Sequence, residues 1–152
     1  IAMLFPITAF AQAYVQTWDL VDSGKHLDYD GNSTYMSYIN TGAATWNAYK
    51  SGVIRKDSAF VVEDVYVSDV NASNGWAGMT YSSGKIELNT YYMSGYSNSK
   101  KQNVATHELG HALGLDHSTS TDVMDAAITG HTSTQALSQN DKDSYDAAYN
   151  NY

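Results

Sequence analysis

The run His107-Glu108-Leu109-Gly110-His111-Ala112-Leu113-Gly114-Leu115-Asp116-His117 constrains this chain more tightly than any other stretch. An α-helix turns once every ~3.6 residues, so His107 and His111, at i and i+4, stack on one helix face. Glu108 stands one step round the helix from His107, able to reach a metal-bound water without ligating the metal. Gly114 falls where such a helix must stop, because glycine enters the left-handed conformation of a helix terminus at little cost. The chain then turns back and returns His117 as a third imidazole. Three nitrogens leave one position of a tetrahedral zinc open to water, as catalytic sites do and structural sites do not. H-E-x-x-H alone does occur by accident in helices. Gly114 and His117 at their fixed offsets make accident a poor explanation. The plainer alternative is a degenerate site that holds metal and does no chemistry.

These residues resemble the long zinc motif of the metzincin metallopeptidases, which is followed by a methionine turn beneath the metal. Met124, in Thr121-Asp122-Val123-Met124-Asp125, follows His117 by seven residues and fits that turn. Ser118, directly after the third histidine, and the stretch Leu137-Ser138-Gln139-Asn140-Asp141 are similar to the matrixin branch. The resemblance extends over about residues 26 to 150 and is sharpest over 107 to 124. It implies an α+β, α/β-like zincin domain with a twisted, mostly parallel five-stranded sheet, three helices and a substrate cleft across the zinc. It further implies that His107, His111 and His117 hold one catalytic Zn2+, that Glu108 is the general base, and that Met124 packs beneath the imidazoles. Trp76, Ala77, Gly78 and Met79 correspond to the edge strand that pairs with peptide substrates through main-chain hydrogen bonds. An ordinary hairpin strand is an equal reading of those four.

The chain also departs from the matrixin pattern. His26-Leu27-Asp28 is a lone H-x-D, with no other histidine before His107, so a second, structural zinc site is not expected. Cysteine is absent, which excludes disulfides and cysteine-based latency within this chain. Met124 is followed by Asp125-Ala126, so no tyrosine two places after the methionine assists the reaction. The pattern as a whole resembles a small bacterial-type matrixin.

A length of 152 residues suits one domain with a single core, and 43% hydrophobic with 16% charged residues is a globular composition. A formal net charge of −8 repels backbone phosphates, so nucleic acid is not an expected partner; a protein or peptide substrate is, and a monomer. The leading run Ile1 to Phe10 is apolar and is followed by Ala11-Gln12-Ala13, the pattern that ends a secretory signal. It is shorter than the ~20 residues that span a bilayer. Residues 1–13 therefore read as a signal remnant and 14–152 as the catalytic domain of a secreted protein; a short terminal strand or helix packed on the domain is the competing reading.

Along the chain, Val15 to Leu20 and His26 to Tyr29 read as extended, and Asp30-Gly31-Asn32 as a turn. Asn32-Ser33-Thr34 offers caps for a helix whose Tyr35, Tyr38, Ile39, Gly42, Trp46 and Tyr49 recur at spacings of three and four, the mark of one buried face. Val53-Ile54 and Phe60 to Val67 read as strands. Asp69 to Gly75 is faintly like a calcium loop, but its glycine falls one place late and Thr80 stands where the last acidic ligand belongs. It reads as a turn, and calcium is left open only for some surface carboxylate cluster. Lys85 to Asn89 alternates as a half-buried strand. Tyr91 to Ser99 reads as a loop, with Asn98 or Ser99 capping the zinc-motif helix. Ala126 to Ala136 reads as a loop, which by the matrixin resemblance is expected to wall the pocket for the residue after the cut bond, and His131 as a loop residue. Ser138 and Asp141 form a capping box for a last helix that buries Tyr145, Ala148 and Tyr149. Two rival functions share these features: a non-catalytic, zinc-stabilised peptide-binding module, and a metalloamidase acting on cell-wall peptides.

Overall fold

Five short strands build the sheet: Leu27–Gly31 (β1), Ile54–Lys56 (β2), Val65–Val70 (β3), Gly78–Tyr81 (β4) and Lys85–Asn89 (β5). The structure, a computed structural model, describes residues 12–58 and 60–152. The strand order is β2-β1-β3-β5-β4. β1 is parallel to β2 and β3, and β3 to β5; β4 alone runs antiparallel, paired with β5. Parallel neighbours require a crossover, and helix α1 (Met36–Tyr49) provides the one between β1 and β2. The hairpin joining β4 to β5 turns at Gly84, whose φ of 87° favours glycine. β4 is thereby left on the outer edge of the sheet. Alternation in β5 holds through Leu88, with Ile86 and Leu88 fully buried and Lys85 and Glu87 partly exposed, and breaks at Asn89, which is buried and bonded to Ala72, Asn74 and Trp76.

Among the described residues three long helices are present, α1, α3 (Asn98–Ala112) and α4 (Gln139–Tyr149), together with α2, a single turn over Thr90–Met93. α2 falls inside the stretch expected to be loop; Asn89 starts it by accepting the Tyr91 N–H at 3.1 Å, and Met93 is fully buried. The cap of α3 is Ser97, one residue before the expected pair, its Oγ accepting the Lys100 N–H at 3.3 Å. α4 opens with the expected capping box of Ser138 and Asp141. α1 starts differently. Its N-cap, Tyr35, makes no side-chain cap bond; Ser33 Oγ accepts the Tyr35 N–H at 3.0 Å instead, and Asp69 accepts from the Thr34 N–H at 2.8 Å. α1 buries Ile39, Gly42, Ala43 and Trp46. Tyr49 is more exposed than its spacing implies, with its hydroxyl donating to Asp146. α3 lies close against α1: a Cβ on Gly42 would meet Thr106 Cα at 3.1 Å, and the Trp46 indole N–H donates to the Thr106 carbonyl at 2.9 Å.

Two stretches expected to be extended or strand join the sheet only in part or not at all. Val15 to Leu20 is a strap whose Gln16 and Leu20 N–H groups donate to the carbonyls of Gly114 and Ala112, each at 2.9 Å. It pairs with the end of α3 and not with the sheet, joined there by a single bridge between Val15 and Leu115. In the stretch Phe60 to Val67, pairing begins only at Val65, and Phe60 is 98% exposed. Strand propensity reflects packing against partners; contact with β1 starts at Asp64, whose N–H donates to the Asp28 carbonyl at 2.8 Å, and the regular ladder at Val65. Of the leading residues 1–13, residues 1–11 lie outside the described residues.

Candidate active site

α3 carries the first two histidines on one face, and the turn at Gly114 (φ 89°) brings back the third. One ring nitrogen from each of His107, His111 and His117 lies within 4.8 Å of the other two. Each of the first two rings is oriented by a backbone carbonyl. His107 Nδ1 is 2.8 Å from the Val123 oxygen and His111 Nδ1 is 2.9 Å from the Leu115 oxygen. A carbonyl only accepts, so both Nδ1 atoms carry hydrogen, and the Nε2 lone pairs are left for a ligand. Burial lowers the pKa of His107 to about 3 and also lowers that of His111, so both are neutral at pH 7, as metal ligation demands. His111 Nε2 and His117 Nε2 are 3.2 Å apart. Two nitrogens on a tetrahedral zinc with bonds of 2.0–2.1 Å are separated by about 3.3 Å, so the donor set fits that ion.

Beneath the imidazoles, a chain of backbone bonds leads to α4. Val123, whose carbonyl holds His107, donates its N–H to Asp141 Oδ2 at 2.9 Å, and Met124 donates to Asp141 Oδ1 at 3.2 Å. Asp141 is fully buried and also accepts the Ser138 N–H at 2.8 Å. Met124 is buried against Gly110, where a Cβ would stand 2.2 Å from its Sδ. The x-x of H-E-x-x-H thus needs glycine in its second place here because the methionine turn presses on the helix.

Glu108 is 5% exposed, and burial pushes its carboxyl up to about 7, against the opposing pull of a hydrogen bond from Thr80. The Thr80 hydroxyl is 2.7 Å from Glu108 Oε2. Gly78 lies so close that a Cβ there would be 2.6 Å from Oε1. A cleft of about 520 Å³ opens over the three imidazoles and Glu108. Trp76, Ala77, Gly78 and Met79 all line it, on the side of the sheet's β4 edge. Ala126, Ile128 and Thr129, from the loop after Met124, line it too. His131 belongs to that loop and pairs with Asp125 at 2.7 Å, away from the three-histidine cluster. The strap adds Gln16 and Trp18, which sequence reasoning missed because the strap's course depends on its pairing with the end of α3.

His26 is not part of the carboxylate group around Asp28. Asp28 lies among Asp22 and Asp64, but both its oxygens take the Arg55 guanidinium, at 2.8 and 2.7 Å. Asp69, in the segment weighed as a calcium loop, is consumed by Ser33 and Thr34 at the start of α1.

The fold is of the metzincin type. It is similar to the crystal structure of archaemetzincin from Methanopyrus kandleri, with a TM-score of 0.59 at 12% identity, covering 86% of this chain and 99% of that one. At so low an identity the likeness concerns architecture alone. Membership is decided by sequence: the matrixin family model matches residues 8–150, and the chain belongs to that family of metallopeptidases. Comparison with curated proteins yields no match. Among the described residues no helix is long and apolar enough to cross a membrane.

Proposed function

We propose that this chain is a zinc-dependent endopeptidase in which His107, His111 and His117 hold the metal and Glu108 is the general base. The observation that carries this reading is the buried Glu108 carboxyl, raised to about 7 beside three converging imidazoles at the floor of an open cleft. A metal site serving stability alone has no use for an acid kept near neutrality in a cleft, which weighs against the non-catalytic module. When bound, zinc acidifies a coordinated water from ~15.7 toward ~7 and polarises the scissile carbonyl. Glu108 accepts the proton of the attacking water and passes it to the leaving amine. β4 offers its open edge to an extended peptide, with Trp76, Ala77, Gly78 and Met79 along the contact. Met124 touches no substrate; it supports the platform through Gly110.

Glu108→Ala should retain zinc and lose cleavage of casein-like substrates, with a peptide-library digestion read by mass spectrometry defining the preference. Cleavage by that variant at the wild-type rate would refute the role of Glu108. His117→Ala should lower zinc affinity by orders of magnitude, and unchanged zinc content would remove His117 from the ligand set. Parallel assays on peptidoglycan separate a protein substrate from the cell-wall alternative. The reading includes secretion with removal of residues 1–13, which N-terminal sequencing of the protein from culture medium tests.

A further inference from the structure

The general base is seated on the strand that borders the cleft. Gly78 and Thr80, two apart on β4, project toward the same face of the strand. The Thr80 hydroxyl stands 2.7 Å from Glu108 Oε2 and 2.9 Å from the Glu108 carbonyl oxygen. Thr80 is 9% exposed and Glu108 5%, so the contact is screened from water. Gly78 supplies the space: a Cβ there would meet Glu108 Oε1 at 2.6 Å, Cγ at 2.7 Å and Cδ at 2.9 Å, so any larger residue would evict the carboxylate. Among the described residues Thr80 is the one side chain that hydrogen-bonds this carboxylate, and it engages Oε2 only. Oε1 is left as the oxygen free to meet a reacting proton.

We propose that Thr80 is a positioning residue for the proton transfer, fixing Glu108 in the slot left by Gly78 so that Oε1 faces the reacting water. The proposal rests on the reading of Glu108 as general base. A glutamate side chain has several rotatable bonds, and a single hydroxyl anchored on a sheet selects one arrangement among them. Since Thr80 belongs to the strand expected to pair with substrate, base and peptide backbone are referred to one rigid element.

The experiment compares zinc-loaded wild type, Thr80→Val, Thr80→Ser and Glu108→Ala. Valine keeps the shape and removes the hydroxyl; serine keeps the hydroxyl. Thr80→Val should lower kcat about tenfold to a hundredfold with KM and zinc content unchanged, and Thr80→Ser should recover most of that loss. Glu63, Glu87 and Glu108 are the chain's only glutamates, so protein labelled with 13C at the glutamate carboxyls gives three resonances, one of which vanishes in Glu108→Ala. The Glu108 resonance should shift in Thr80→Val and return in Thr80→Ser. If valine is not tolerated in the fold, Thr80→Ala serves the same comparison. An unmoved Glu108 resonance, or a wild-type kcat in a variant whose resonance has moved, overturns the proposal. A wild type without peptidase activity, or Glu108→Ala with full activity, overturns the endopeptidase reading instead. The carboxyl resonance still decides whether Thr80 holds Glu108.

Discussion

Glu108→Gln should stabilise the metal-free protein, and by an amount that grows with pH. The Glu108 carboxyl rises from its ordinary 4.5 to about 7 in the folded chain, chiefly because burial disfavours the charged form. Between those two values the folded state keeps a proton that the unfolded state has released. The native state therefore binds more protons, and stability falls as pH rises through the interval. A displacement of that size corresponds to roughly 3 kcal/mol by the time both states are ionised, near pH 8. Glutamine mimics the protonated acid. Its amide can donate to Thr80 Oγ1, which in turn can donate to the Glu108 backbone carbonyl 2.9 Å away. It has no proton to lose, so it escapes the penalty. Urea unfolding of both proteins with chelator present, at pH 5 and pH 8, gives the double difference directly. His107, lowered by burial to about 3, is common to both proteins and cancels. The glutamine variant should gain about 2 kcal/mol over wild type between the two pH values, and zinc should shrink the gap because its charge favours the carboxylate. A gap that is the same at pH 5 and pH 8 would refute the burial argument.

Three further perturbations probe the supports of the site. Gly110→Ala should cost about 1–3 kcal/mol by overpacking, despite alanine's better helix propensity, because the new Cβ would lie 2.2 Å from Met124 Sδ and 3.0 Å from Trp46 Cζ2; a variant with a higher urea midpoint than wild type contradicts this. Asp141→Ala leaves the N–H groups of Val123, Met124 and Ser138 without their acceptor, for a loss of about 3 kcal/mol or more and faster zinc release, measured by urea titration and by chelator exchange. Asp122 is fully buried; burial would raise its carboxyl, but the polar groups of Ser138, Ser118, Thr119 and Asn140 around it, Thr119 and Asn140 in direct hydrogen bonds, outweigh that and hold it at about 2. Its folded value lies below its unfolded one, so its contribution is complete above about pH 4 and is lost as pH falls through about 2. Asp122→Asn should thus lose about 2 kcal/mol more relative to wild type at pH 6 than at pH 2, and equal losses at both would exclude this linkage.

The part of the site visible in the amino-acid order is the part written in side chains at helical spacing. His107 and His111 are neighbours because of a helix's pitch, and Gly114 stops that helix because of its own conformational freedom, so local rules reach both. The alternation of Lys85 to Leu88 and the buried face of α1 were legible for the same reason. Val15 to Leu20 read only as extended, because its chemistry suits an extended chain anywhere, and only the tertiary arrangement shows that its partner is the end of α3. Phe60 to Val62 are strand-forming residues, yet backbone bonding to β1 begins only at Asp64, and β5 joins on the other side from Tyr66.

The supports that hold the histidines are illegible for a different reason: they run through the backbone. Val123 orients His107 with a carbonyl, and Leu115 orients His111 likewise, so neither side chain bears a mark of the task. Asp141 does carry a mark, but a misleading one. Its place three after Ser138 announces a helix cap, which it is, while its carboxylate also ties down the methionine turn. Both duties fall on one buried group, since the start of α4 is where the turn beneath the three histidines passes. Gly78 and Thr80 follow the same logic on the other side of Glu108: a missing Cβ and a single hydroxyl acquire meaning only when β4 lies against α3. The motif thus names the groups proposed to meet metal and water, whereas their alignment depends on the turn at Met124 and an edge strand distant in the chain. Substitutions at Asp141 or Thr80 can consequently disturb the site while leaving every residue of the zinc motif in place.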